Sequence, residues 1–405
     1  MDRRMDILAP GFRADPYPHY AELRRSSPVC QVDPGGMWAV SRHEDVIHVL
    51  RNPALFSSAG FKAAWQPPWL GYNPLANSLL AQDPPAHTRL RNLVSRAFGP
   101  GVIARMEPRL RALAGELAGS VVGDGDGDGD GGPDGWVDFV DAFAMPLPAF
   151  AIADLLGLDP DLRAHFKRWG DDILSVTPDP GSPERAAHLR ATVGEVCRYM
   201  GEAVAARRRA PAEDLTSQLL RAEVDGQRLG DAEVIEMLVM LLFGGFETTT
   251  HLLGNMMIFL AAHPEEMTRL RADPSLIPAF VEEMNRYDGP SQSLPRIATE
   301  DVTLAGVSIP RGAMVLPLVG SANRDERRYP DPDRFDLHRG APGVGFGHGI
   351  HACIGAMLAR MEAKVALEAL VARFRGVELA PGEIQYNRTL AVRGPTALPL
   401  RLLPA

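Results

Sequence analysis

The chain has 405 residues, 45% of them hydrophobic and 23% charged, with a formal net charge of −9. That is the composition of a soluble globular protein, and the acidic balance excludes a broad nucleic-acid surface, which needs clustered basic charge. Three cysteines (Cys30, Cys197, Cys353) form no Cys-x-x-Cys and no paired framework, which points to a reducing, cytoplasmic compartment.

Residues 1–21 are charged and proline-bearing, with no apolar run of signal-peptide or anchor length, so no membrane anchor is expected. Asp15-Pro16-Tyr17-Pro18 leads into a helix through Tyr20, Leu23 and Arg24. Met37-Trp38-Ala39-Val40 reads as a short strand, and residues 42–52 as a helix stopped by Pro53. Residues 54–82 lack periodicity but carry Trp65, Trp69 and Tyr72, an aromatic content that argues for an ordered loop. Asp83-Pro84-Pro85 opens the next helix, on which His87 and Arg91, four apart, share a face. Taken alone, that pair is a solvated polar face.

Residues 123–132 alternate Gly and Asp almost without a break, within a stretch that runs to 135. Asp124, Asp126 and Asp128 begin like a calcium loop, but the twelfth position is Gly135 and not a bidentate Glu. A flexible acidic connector is expected there. Helical patterns cover 139–156, 162–174 and 183–208, with 177–181 between the last two as a mobile lid.

The longest helical pattern is 231–263, with Asp231 as its N-cap candidate and Pro264 beyond its end. A helix of about 33 residues spans roughly 50 Å, and apolar residues all round 237–243 place it in the interior. Gly244-Gly245-Phe246-Glu247-Thr248-Thr249-Thr250 interrupts that pattern. Glycines and β-branched residues are poor helix material, and a buried acid is costly. Two readings are open: a water-filled kink, or a place where function needs space, an acid and an alcohol. Further on, Glu283 and Arg286 stand three apart on a helix, and 291–318 alternates like strands around a turn at 309–312.

Gly345-Phe346-Gly347-His348-Gly349-Ile350-His351-Ala352-Cys353-Ile354-Gly355 precedes a helix-like run, Ala356–Arg373. Its glycines allow a tight loop with close backbone approach. Cys353 would stand at the start of that helix, where the partial positive charge favours a thiolate. Such a thiolate suits a metal held from outside the chain, a haem iron being the candidate; the bland alternative is an inert buried thiol. Cys-x-x-Cys-His is absent, so a haem would not be attached in the c-type manner.

The order Phe346-Gly347-x-Gly349-x-His351-x-Cys353-x-Gly355 resembles the haem-binding signature of the cytochrome P-450 family of haem-thiolate monooxygenases. Three more segments look like family motifs: Asp83 to Arg91, Gly244 to Thr248 (with Gly244 where Ala is commoner), and Glu283-x-x-Arg286 with Arg339. The likeness covers roughly residues 15–403. It implies a mainly α fold with a small mixed β-sheet, one domain over 1–405, and haem b buried between the long central helix and the cysteine loop.

By the same resemblance Cys353 is the iron ligand, Phe346 and Gly347 pack beside the sulfur, and Gly244 and Gly245 open space over the haem. His87, Arg91, Arg296 and His351 would hold propionates. Glu247 and Thr248 would relay protons, and Glu283, Arg286 and Arg339 would lock the haem-side loop. Ser291, Gln292 and Ser293 would wall the substrate pocket under a roof made by 54–82. The implied activity, typical of secondary metabolism, is O2-dependent hydroxylation or epoxidation of a largely hydrophobic terpenoid, steroid or macrolide-like molecule. Electrons would come from NAD(P)H through a ferredoxin and ferredoxin reductase docking near Arg96 and Arg360, on a monomer. The rivals are a peroxide-driven peroxygenase and a non-catalytic haem-thiolate sensor; the Glu247-Thr248 pair counts against both.

Overall fold

In a computed structural model, residues 4–121, 135–159 and 162–405 are described. The Gly/Asp stretch 123–134, with its calcium-loop-like aspartates, lies outside them. The chain is mainly helical with small sheets, as expected, and no helix among the described residues is long and apolar enough to cross a membrane. It divides into two compact units, one of Met1–Leu55, Arg105–Pro148 and Glu247–Ala405, the other of Phe56–Ala104 and Ala149–Phe246.

In the larger unit a mixed sheet runs in the order Val29–Val32, Met37–Val40, Met314–Pro317, Arg296–Ala298. Val29 pairs antiparallel with Val40, Val315 parallel with Trp38 and antiparallel with Arg296. Its apolar side closes a core with Phe12, Tyr20 and Leu23 from the N-terminal helices. Arg296 is thereby fixed on a strand rather than on a loop. A second sheet pairs Phe374–Leu379 with Pro399–Pro404 and the latter with Val137–Asp138. The helix Ala356–Arg373 runs from the cysteine loop into this second sheet.

In the smaller unit the helices Ala86–Ala97, Arg163–Leu174, Pro183–Arg209 and Leu215–Arg221 pack with the first half of a helix spanning Asp231–Ala262. Gly170 lets two helices meet closely: a Cβ there would stand 3.3 Å from both Phe243 and Phe246. The segment 54–82 holds short pieces, among them the single helical turns Lys62–Trp65 and Pro74–Asn77, too short to show a period. Asn73 caps the second through Oδ1, which accepts from the Leu75 N–H at 3.0 Å. Trp69 fastens this segment to 177–181, its Nε1 donating to the carbonyls of Thr177 (3.2 Å) and Pro178 (3.0 Å) while Arg190 Nη1 donates to its own carbonyl (2.9 Å). The expected mobile lid is therefore tied down.

Three local departures have physical causes. The pattern 139–156 splits into a π-helical turn, Val140–Ala144, and a helix Pro146–Leu156, because Pro146 cannot continue the hydrogen-bond ladder; the Met145 N–H reaches back five residues to Val140 (2.9 Å). Asp231 is the first residue of its helix and not its cap. Gly230 precedes it, its carbonyl accepting from Val234 and its N–H donating to Glu233 Oε2 at 2.9 Å, one half of a capping box. The hairpin Glu223–Val224 and Gln227–Arg228 turns at Asp225-Gly226 with both φ positive, the Asp-Gly signal that a two-residue loop requires.

Candidate active site

The larger unit holds the cysteine loop. Gly347 and Gly349 both have positive φ (73° and 72°), and a Cβ on Gly349 would come within 2.5 Å of the Leu50 carbonyl. Gly345 packs equally closely, a Cβ there falling 2.7 Å from Asn285 Oδ1. The loop is thus pressed against two helices through backbone that tolerates no side chain. Its register is closed by the Cys353 N–H, which donates to the Phe346 carbonyl at 2.8 Å. Helix Ala356–Arg373 starts three residues after Cys353, with Gly355 as cap, so the cysteine precedes the helix and does not begin it. Arg360 lies over the Phe346 ring at 4.3 Å and pairs with Glu282. Arg96, in the smaller unit, donates to the Glu223 carbonyl at 3.2 Å.

Cys353 is exposed, whereas Cys30 and Cys197 are half-buried and burial pushes both thiols up, Cys197 to about 11. Only Cys353 combines an accessible sulfur with a fixed backbone. Arg296 is buried, donating from Nη1 to the carbonyls of Leu294 (3.3 Å) and Pro295 (2.8 Å), and His351 is half-buried, two residues before Cys353. A presented thiol, a strand-fixed guanidinium and an imidazole are the donor set that an iron porphyrin with two carboxylates needs. The residues of this unit fit a haem.

The trio of Glu283, Arg286 and Arg339 is assembled. Arg286 grips Glu283 in bidentate fashion (2.7 and 2.8 Å), and Arg339 Nε reaches Glu283 Oε1 at 3.1 Å. The carboxylate also accepts from the Asp336 N–H (2.9 Å), and Arg286 Nη1 donates to the carbonyls of Asn323 and Pro332. With each ion satisfied by backbone as well as by its counter-ion, the buried charges are compensated. They bind the 323–339 meander to the helix that carries Asn285, on which the cysteine loop rests. Asn323 Oδ1 completes the link by accepting from the Val344 N–H at 2.6 Å.

The residues expected to wall the pocket, 291–293, make bonds of their own. Gln292 is buried, its Oε1 accepting from the Tyr20 hydroxyl (3.0 Å) and its Nε2 donating to the Gly289 carbonyl (2.9 Å). Ser293 Oγ donates to the Leu390 carbonyl at 2.8 Å. Both serve the core; Ser291, half-buried, stands in an isolated bridge with Val392.

On the long helix, Glu247 and Thr248 are half-buried, while Thr249 and Thr250 are buried. Sequence reasoning overlooked two titratable groups here. His251, one turn beyond Glu247, brings Nε2 to 3.8 Å from Glu247 Oε1. The i,i+4 spacing was its signal. Glu362, on the helix after the cysteine loop, is fully buried; burial holds its carboxyl well above the usual range, the Thr249 hydroxyl pulling the other way. A carboxyl raised on folding makes the folded state keep a proton that the unfolded state releases above its ordinary value of 4.5, so it destabilises increasingly as pH rises. Glu362→Gln is expected to melt with the parent at pH 4 and above it at pH 8, by a margin that thermal unfolding reads directly.

The smaller unit carries the remaining candidates. His87 is buried and Arg91 half-buried on the helix Ala86–Ala97. Gly245 lies close against another helix, since a Cβ would fall 2.9 Å from Ile152 Cγ1. Gly244 is different: it is exposed beside the buried Phe243, and a Cβ there would meet nothing within 4 Å.

A family model described as Cytochrome P450 matches residues 188–392. The chain is 37% identical to the 6-deoxyerythronolide B hydroxylase of Saccharopolyspora erythraea over 413 residues, 98% of each protein. It is 40% identical to the erythromycin C-12 hydroxylase of the same organism, over 87% of this chain and 85% of that protein. Among solved structures it is similar to cytochrome P450 CYP109Q5 from Chondromyces apiculatus, with a TM-score of 0.89, 41% identity and full coverage of both chains.

Proposed function

The chain belongs to the cytochrome P450 family as a haem-dependent monooxygenase, and from that premise we propose that it hydroxylates a large, mostly apolar molecule of macrolide type, using Cys353 as iron ligand. The observation that carries the ligand assignment is the Cys353 thiol, exposed on a loop whose backbone is fixed at Phe346, Leu50 and Asn285. Two relatives with 37% and 40% identity are named for macrolide hydroxylation, which supports the substrate class.

Bound haem supplies reductive O2 activation and insertion of one oxygen atom, chemistry that belongs to the cofactor. The chain's part is binding and proton handling. Cys353 would ligate as thiolate, and Arg296, His351, His87 and Arg91 would hold the propionates through charge-assisted bonds. Thr248 Oγ1 would present a proton and Glu247 would replace it. Ser291, Gln292 and Ser293 would supply the polar part of an otherwise apolar substrate wall. Electrons would reach the enzyme from NAD(P)H through a ferredoxin and its reductase.

Absorbance titration of the purified ferric protein tests the substrate class. A saturable Soret shift with 6-deoxyerythronolide B, at concentrations where testosterone gives none, is expected. The reverse ranking would refute the macrolide assignment while leaving the enzyme class intact.

A further inference from the structure

On the second half of the long helix Glu247, His251 and Asn255 are spaced i, i+4, i+8 along a single face. This stripe meets the C-terminal segment around Asn387 to Gly394. Asn387 Oδ1 accepts from Arg13 Nη2 (2.9 Å) and from the Gly394 N–H (3.2 Å), which fixes its amide orientation. Its Nδ2 consequently faces His251 Nε2 at 3.2 Å. A donor aimed at Nε2 makes that nitrogen an acceptor in the neutral ring, leaving the hydrogen on Nδ1. The ring is seated against backbone, since a Cβ on Gly394 would lie 2.3 Å from its Cγ and Nδ1. On the other side the same Nε2 stands 3.8 Å from Glu247 Oε1. Beyond Asn387 the chain surfaces at the exposed Arg388 and Thr389.

The charged groups around the ring are Glu247 on its own helix and Arg13 behind Asn387. Arg393 donates to the Arg13 carbonyl at 2.7 Å and pairs with Asp288 at 2.9 Å, and Asn255 holds the Asp288 carbonyl at 3.0 Å.

We infer that His251 is the proton source of Glu247: Nε2 takes a proton from solvent water at the 387–389 surface and passes it to Glu247 Oε1. The step balances as imidazolium plus carboxylate giving imidazole plus carboxylic acid, with the ring reprotonated by water. Asn387 is a positioning residue, which returns the ring to its acceptor state after each transfer. The half-exposed Glu247 closes the remaining gap by side-chain rotation. The inference rests on the proton relay proposed for Glu247 and Thr248.

The test uses the haem-loaded full chain with its redox partners and compares His251→Gln, Glu247→Gln and the parent. Gln retains a hydrogen bond to Asn387 but carries no transferable proton, so a structural role would be satisfied by it. Product per NAD(P)H is expected to fall at least about ten-fold in His251→Gln, with peroxide release rising to match and a larger solvent isotope effect. Independently of turnover, the 15N resonances of the His251 ring in the reduced, carbon monoxide-bound protein should shift on Glu247→Gln. A His251→Gln protein as tightly coupled as the parent, while Glu247→Gln is uncoupled, overturns the inference and spares the relay. Two coupled variants overturn both. Ring resonances that ignore Glu247→Gln also refute the transfer.

Discussion

A Thr248→Ala protein is expected to consume NAD(P)H at close to the parent rate while its product per NAD(P)H falls about ten-fold or more and hydrogen peroxide makes up the difference. Reduction and oxygen uptake need no proton from this hydroxyl; oxygen scission does, and a positioned proton donor contributes on the order of 10²–10⁴ in rate. The substitution cannot act by unravelling the helix. Ala is a better helix former than Thr by several tenths of a kcal/mol, and Thr248 stands between buried residues that remain, Phe246 and Thr249. A thermal midpoint at or above the parent's, together with lost coupling, would separate chemistry from stability. Unchanged coupling would send the protons by another route.

Cys353→His should abolish product formation altogether and leave the protein folded. The loop is held by backbone: Phe346 takes the Cys353 N–H, and Gly345 and Gly349 press on Asn285 and Leu50. None of these contacts uses the sulfur, so the backbone that shapes the loop does not depend on it. What changes is the electron donation that an axial thiolate provides and a neutral imidazole does not. Turnover assays beside circular dichroism decide it: product from Cys353→His with the parent's regiochemistry would remove the cysteine from the mechanism.

Much of this was readable in the residues because the signals were local and chemically unusual. The central helix showed itself through apolar residues on every side, and the cysteine loop through glycines at positions where positive φ and close approach leave no alternative. The Glu283–Arg286 spacing was visible, although not its burial, which depends on carbonyls from the distant 323–339 meander. The bonds of Gln292 and Ser293 were hidden for the same reason, since a polar triplet does not show in sequence that it will meet Tyr20, Gly289 and Leu390. Single-turn helices such as Lys62–Trp65 have no period to detect, and their order comes from caps and from Trp69 reaching across to Thr177. Glu362 gave no sign at all, since only the folded chain takes it out of water.

The carbon monoxide difference spectrum of the reduced, purified parent tests the central claim most directly. Thiolate ligation by Cys353 predicts the strongly red-shifted Soret band of that ligand, present in the parent and absent from Cys353→His. A parent band at the position given by imidazole ligation, or a thiolate band that survives Cys353→His, would contradict it.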